Sequence, residues 1–211
     1  MRLSGYSAIG LTLPAGLMRD RVGPLRQLFE ERGIETFLRL DIAPPSRQEL
    51  LRLLRRYRTA FDVVAVKCVS PAAALVACRD RRVDVVFFDT FRRNIWFNYT
   101  YADLLHGALE FNIVSDLLNA TTSDIYLRLA KEAAIARNSG TKIVLSSGAT
   151  KPEVVRAPMQ LSALGQAVGL SKSQVLRGVA DIPRSIVRDN TERRSSSYIE
   201  EGVRVVVPKA R

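Results

Sequence analysis

Residues 140–174 read GTKIVLSSGATKPEVVRAPMQLSALGQAVGLSKSQ. The apolar run Lys142–Leu145 opens into four small residues, Ser146, Ser147, Gly148 and Ala149, and the cations Lys151 and Arg156 follow. A short apolar run bounded by turn residues reads as a buried strand. A helix is expected from about Pro158, and Ser171 with Gln174 has the spacing of a capping box for a second one. Backbone N–H groups and cations thus lie just past the carboxyl end of a strand, where parallel α/β proteins keep their sites.

The same alternation runs through the residues upstream. Residues 6–13, Thr36–Ile42, Phe61–Val69, Val83–Phe88 and Leu109–Val114 are β-prone apolar runs. Helical patterns separate them. The first carries Leu17, Leu25, Leu28 and Phe29, with a break expected at Gly23-Pro24. The second starts at Ser46, with Glu49 completing a capping box, and turns Leu50, Leu53, Leu54 and Tyr57 inward. The third has Ser70 as cap and Pro71 at its first position, and Ser123 caps the clearest one, Asp124–Asn138. Strand and helix alternate six times with short connections, so the fold class is α/β, a parallel sheet with helical crossovers. The pattern leaves an open sheet and a closed barrel equally open. A seventh strand is expected near Val154-Val155, a helix interruption at Pro183, and a further turn over Ser185–Asp189. Residues 1–190 are read as one domain, and 191–211 as a polar, basic extension with a β-prone run at Val203–Val207.

The chain has 211 residues, 47% of them hydrophobic, enough for one full core. Its net charge of +11 exceeds what solubility requires and suits a polyphosphate partner, although the excess of Arg over Lys also fits genome composition. No apolar run is long enough to span a bilayer and no signal peptide is visible, so a soluble, cytoplasmic protein without a membrane partner is expected. Cys68, Cys78 and the single histidine, His106, do not make a structural zinc site; buried, reduced thiols are expected.

Strand ends carry Asp41, Lys67, Asp89, Asn112 and Ser146-Ser147. Asp41, Asp89 and Glu110 suit either an all-oxygen Mg²⁺ site or carboxylates paired with Lys67 or an arginine. Lys67 admits a Schiff-base reading as well as an ionic one. Ser146-Ser147-Gly148 lacks the spacing of a P-loop or a nucleophile elbow but is suited to holding an anion beside Lys151 and Arg156. Residues 90–101 interleave Phe91, Arg92, Arg93, Trp96, Phe97, Tyr99 and Tyr101. That mixture fits phosphate contact with base stacking, a protein interface, or rings folded back on the core. Arg47, Arg52, Arg55, Arg56 and Arg58 surround one helix and read as its solvated face.

Ser146–Ala149, Lys151-Pro152, Arg156-Ala157-Pro158, Leu161, Leu164-Gly165 and Gly169-Leu170-Ser171 resemble the C-terminal signature of the ribonuclease P protein component 3 family. Gly107–Asn112, Ala136–Gly140 and Asp62–Lys67 extend the resemblance upstream. It implies a compact TIM-like (β/α) barrel, with the pattern showing fewer than eight strands. It also implies a protein subunit of the ribonucleoprotein that removes the 5′ leader of precursor tRNA. In that family the RNA carries out Mg²⁺-dependent hydrolysis, so neither a catalytic residue nor a metal or cofactor is expected in this chain. The implied partners are the catalytic domain of the ribonuclease P RNA, component 2 with its RRM-like fold, other ribonuclease P proteins, and precursor tRNA through the holoenzyme. Lys67, Lys151, Arg156 and Lys172 match or adjoin the motifs and are the first candidates for RNA contact. Arg92, Arg93 and Arg137 come second, and Trp96, Phe97 and Tyr99 are candidates for protein contact. The competing reading is a TIM-barrel enzyme, a metal-dependent phosphoesterase or a Lys67 aldolase, acting on a small phosphorylated substrate.

Overall fold

The central apolar runs form strands with both of their faces covered. In the computed structural model, which describes residues 5–13, 22–120, 123–195, 197–200 and 203–204, the order is β1 (Ala8–Leu13), α1 (Gly23–Glu30), β2 (Glu35–Ile42), α2 (Arg47–Tyr57), β3 (Val63–Cys68), α3 (Pro71–Arg79), β4 (Val85–Phe88), α4 (Tyr99–Leu104), β5 (Ala108–Asn112), α5 (Ile113–Leu118), α6 (Ser123–Asn138), β6 (Ile143–Ser146), α7 (Pro158–Ala167), α8 (Lys172–Val179) and α9 (Asp181–Arg193). The first six strands make one parallel sheet in chain order. It is a TIM-like half-barrel with helical crossovers, whose edge strands β1 and β6 do not pair with each other.

Alternate residues along each strand face opposite ways. Val64, Val66, Val86, Leu109 and Leu145 join Leu50, Leu54, Ala77, Leu129 and Ala133 of the helices in the main core on the outer face. The inner face is filled differently. Val63, Ala65, Val85 and Phe87 pack with Ile186 and Val187, and Ala108 and Val144 with Ile182 and Ile186, so α9 covers the amino-terminal half of the sheet's concave side. Burying Ile182, 7% exposed, contributes about 2 kcal/mol. The end of α9 is fastened by polar groups. Arg58 Nη2 donates to Asp84 Oδ1 (3.2 Å) and Asn190 Oδ1 (2.7 Å), Asn190 Nδ2 donates to the Asp62 carbonyl (2.9 Å), and Arg194 Nη2 donates to Asp62 Oδ1 (2.6 Å).

Several local expectations are corrected. Gly23-Pro24 opens α1, since the first turn needs no N–H from proline; residues 14–21, on the other side of the expected break, lie outside the described residues. Val154-Val155 is not a strand: Pro152–Val154 forms a single 3-10 turn. Pro183 lies in the first turn of α9; the interruption falls at Ala180, and the helix runs without a break past residue 190 to Arg193. Ile113-Val114 belongs to α5, not to the fifth strand. The β-prone tail run pairs at Val203–Arg204 (β8) with Tyr198–Glu200 (β7) in an antiparallel hairpin. Leu17 and Val205–Val207 lie outside the described residues. Cys68 and Cys78 are both free and buried.

Candidate nucleic-acid interface

Inward-facing residues toward the carboxyl ends of the strands are polar, beyond the reach of α9. Arg39 of β2 donates through Nη1 to Glu110 Oε1 of β5 (2.8 Å) and through Nε to Asp41 Oδ1 (2.6 Å), and its guanidinium carbon lies 6.0 Å from the Phe87 ring centre. Burial opposes the charge on Arg39, but Glu110 and Asp41 outweigh it and raise its pKa. Burial also raises the Asp41 carboxyl, with Arg39 pulling the other way. One strand further, Lys67 Nζ lies 3.1 Å from Asp89 Oδ2, and Arg92 Nε lies 3.5 Å from the same oxygen. Burial pushes Asp89 up, yet Lys67, the Phe91 N–H and Arg92 together hold it below the usual carboxylate range.

These pairings bear on the chemical readings. Asp41 and Glu110 share Arg39, and Asp89 holds Lys67, so the carboxylates are paired ones, and among the described residues no three His, Cys, Asp or Glu side chains are grouped to hold a metal ion. Lys67 is held against Asp89 and is partly exposed, not desolvated in the apolar pocket that activates a lysine nucleophile. His106 is exposed at the opposite end of the sheet, where its backbone N–H donates to the Cys78 carbonyl (3.0 Å) ahead of β5.

The loop after β6 is fixed by the end of β5 and by α5. The Ser146 hydroxyl donates to Asn112 Oδ1 (2.7 Å), and the Ser115 N–H donates to the Ser147 carbonyl (3.0 Å). Gly148 has φ +60°, and a methyl there would sit 2.9 Å from both Asn112 Cβ and Ser115 Cβ, so the close approach requires glycine. Ser115, Asn119, Gly148, Thr150 and Lys151 border a hollow of about 180 Å³ with Lys151 exposed at its rim. Arg156 is half-buried, and its Nη1 donates to the carbonyls of Glu153 (2.6 Å) and Val155 (3.1 Å). Tyr6, just ahead of β1, donates its hydroxyl to the Arg156 carbonyl (2.8 Å), so this segment links the flanks of the two edge strands.

Residues 89–98, between β4 and α4, have no helix or strand and lie along α6. Arg128 Nη1 donates to the carbonyls of Thr90 (3.1 Å) and Arg92 (2.6 Å), Nη2 to that of Ile95 (2.7 Å), and Nε to Glu132 (3.0 Å). Glu132 accepts the Phe97 N–H (3.2 Å), and Asn138 donates to the Tyr99 hydroxyl (3.4 Å). Burial pushes the Glu132 carboxyl up to about 7 and that of Asp116, hydrogen-bonded to Thr90, up to about 6. Phe97 is fully buried against Phe88, their ring centres 5.8 Å apart; as a protein-contact candidate it is corrected, because its ring is part of the core. Phe91, Trp96 and Tyr99 are exposed, as are Arg92 and Arg93. Sequence reasoning missed Arg128 and Glu132.

The cationic candidates divide between the two ends of the sheet. Lys67 lies in the last residues of β3, and Arg92, Arg93 and Lys151 follow strand carboxyl ends. Arg137, in the last turn of α6, donates to the Gly169 carbonyl (3.0 Å) and so lies with Lys172 near the amino-terminal end of β6. Gly165 and Gly178, in and beyond the signature segment, serve packing: a methyl on Gly165 would sit 2.6 Å from Val175 Cγ1 and 2.8 Å from Leu145 Cδ1, and one on Gly178 2.9 Å from the Ile143 carbonyl.

The molecule is thus a TIM-like half-barrel whose concave side is occupied by a helix and paired charges, with cations and rings left on its surface. The ribonuclease P subunit p30 family model matches residues 12–195, and the chain belongs to that family. It is 27% identical to ribonuclease P protein component 3 of Methanosarcina acetivorans, over 96% of this chain and 84% of that one. The component 3 protein of Methanothermobacter thermautotrophicus is 24% identical, over 96% of this chain and 85% of its own length. A chain from the cryo-EM structure of archaeal ribonuclease P with mature tRNA has the same fold, with a TM-score of 0.84 at 14% identity, covering 98% of this chain and 91% of that one.

Proposed function

We propose that this chain, a ribonuclease P protein subunit by family, has no catalytic group of its own and contributes by binding and shaping the RNA. The observation that carries the reading is the pairing inside the half-barrel: Arg39 with Asp41 and Glu110, and Lys67 with Asp89, occupy the positions where a barrel enzyme holds reactive groups. Charge is left for the outside. Lys151, Arg93 and Lys172 are exposed, with no ion-pair partner among the described residues, in a chain of net charge +11. Lys151, beside the backbone N–H groups of the Ser146–Gly148 loop, is the first candidate for a phosphate, and Arg92 and Arg93 follow. Arg156 and Lys67 are more fully spent on intramolecular contacts than Arg92, whose contact with Asp89 is longer at 3.5 Å, and they rank lower. Arg137 and Lys172 belong to a separate surface at the other end of the sheet.

In this account the RNA carries out the Mg²⁺-dependent hydrolysis of precursor tRNA, component 2 is the direct protein partner, and neutralised phosphates let the RNA hold its active shape at lower Mg²⁺. The test is incubation of the purified chain with precursor tRNA, alone and with the ribonuclease P RNA and the remaining subunits. Cleavage is expected only in the complete mixture; turnover by the chain alone would return the enzyme reading.

A further inference from the structure

An irregular crossover is ordinarily the softest part of an α/β fold. The segment between β4 and α4 is the opposite. Arg128 holds three of its carbonyls, Glu132 holds the Phe97 N–H, and Ile95 and Phe97 are 2% and 0% exposed. On the backbone so fixed, Phe91 and Trp96 stand 52% and 42% exposed on either side of Arg92 and Arg93. Asp89 is the segment's one carboxylate, and it is taken by Lys67 and Arg92.

We propose that this segment is a preformed platform for unpaired nucleotides of an RNA, and that Arg128 is its positioning residue. The inference rests on the reading of the chain as a ribonuclease P subunit and deepens it by naming the form of RNA and the place. Exposed rings offer a stacking face only to bases outside a duplex, while the guanidinium groups between them reach the phosphates. A protein partner would be expected to meet a continuous apolar centre with charges at the rim. Here the charges fall between the rings along the chain, and all four side chains are exposed. Holding the segment rigid beforehand removes much of the ordering cost that a mobile loop would add to binding.

Trp96 is the chain's single tryptophan and reports stacking directly. The full chain is titrated with a short mixed-sequence oligoribonucleotide and with the same sequence as a duplex, reading Trp96 fluorescence and affinity. The single strand should quench Trp96 and the duplex should not. Phe91→Leu, a surface change, should weaken single-strand binding about tenfold and leave duplex binding unchanged. Arg128→Lys keeps the charge but cannot reach three carbonyls together, so it should weaken the single-strand complex by a similar factor and reduce the quench. Equal quenching by both RNAs, or wild-type single-strand affinity in both variants, overturns the proposal. So does a Phe91→Leu chain that binds oligoribonucleotide normally yet fails to restore precursor-tRNA cleavage in the reconstituted holoenzyme, which would make the surface a protein contact and leave the subunit reading intact.

Discussion

Glu132→Gln should flatten the pH dependence of stability. Burial raises the Glu132 carboxyl from an ordinary 4.5 to about 7, so between those values the folded chain binds more protons than the unfolded one. Stability from this group is therefore fully present below about 4.5 and is lost as pH rises through about 7. At about 1.4 kcal/mol per pH unit, the loss between pH 5 and pH 8 is about 2–3 kcal/mol. Gln keeps the shape and the acceptor for the Phe97 N–H but cannot titrate. Asp116, raised by burial in the same direction to about 6, remains in both proteins, so its own burial contribution cancels in the difference, while its repulsion of Glu132 is part of the effect measured. The assay is urea unfolding of both proteins at several pH values. Wild-type stability minus variant stability should fall by about 2–3 kcal/mol from pH 5 to pH 8. A constant offset reflects only the altered Arg128 pair. Parallel stability curves would refute the buried-carboxylate reasoning.

Arg39→Met should destabilise the fold by about 3–5 kcal/mol in the same unfolding assay, because it leaves the fully buried Glu110 carboxylate without its cation. Gly165→Ala should cost about 1–3 kcal/mol, since its methyl would press on Val175 and Leu145 where α7, α8 and β6 meet. Lys151→Ala should leave the unfolding midpoint unchanged and lower the slope of log affinity against log salt for ribonuclease P RNA by about one, the effect of one lost phosphate contact.

Most of the sheet was legible because parallel strands buried on both faces are apolar throughout, as Val63–Val66 and Val85–Phe88 are. The same property hid α5, whose first residues, Ile113 and Val114, follow the apolar Leu109 and Phe111 of β5 after a single Asn112. In α9 the signal was present but masked by charge. Ile182 and Ile186 are four residues apart with Val187 beside them, a stripe of helical spacing that fills the inner face, while Pro183 suggested an interruption that the first turn tolerates. Arg128 and Glu132 could have been found. Ile125, Leu129, Ala133 and Ala136 trace the buried stripe of α6, and Glu132 falls within it, where an acid needs a partner; Arg128, four residues earlier, supplies one. What the sequence could not show is which cations were already spent. Arg39 stands in an apolar strand with nothing to announce Glu110, 71 residues later, as its partner.

The central claim is that the chain assists an RNA catalyst through charge and shape. Its most direct test is the rate of precursor-tRNA cleavage by the ribonuclease P RNA with its other proteins, across Mg²⁺ concentrations, with and without this chain. The account predicts a gain on addition that is largest at low Mg²⁺ and fades at high Mg²⁺, where cations alone can neutralise the phosphates. A rate that does not change at any Mg²⁺ concentration would contradict it.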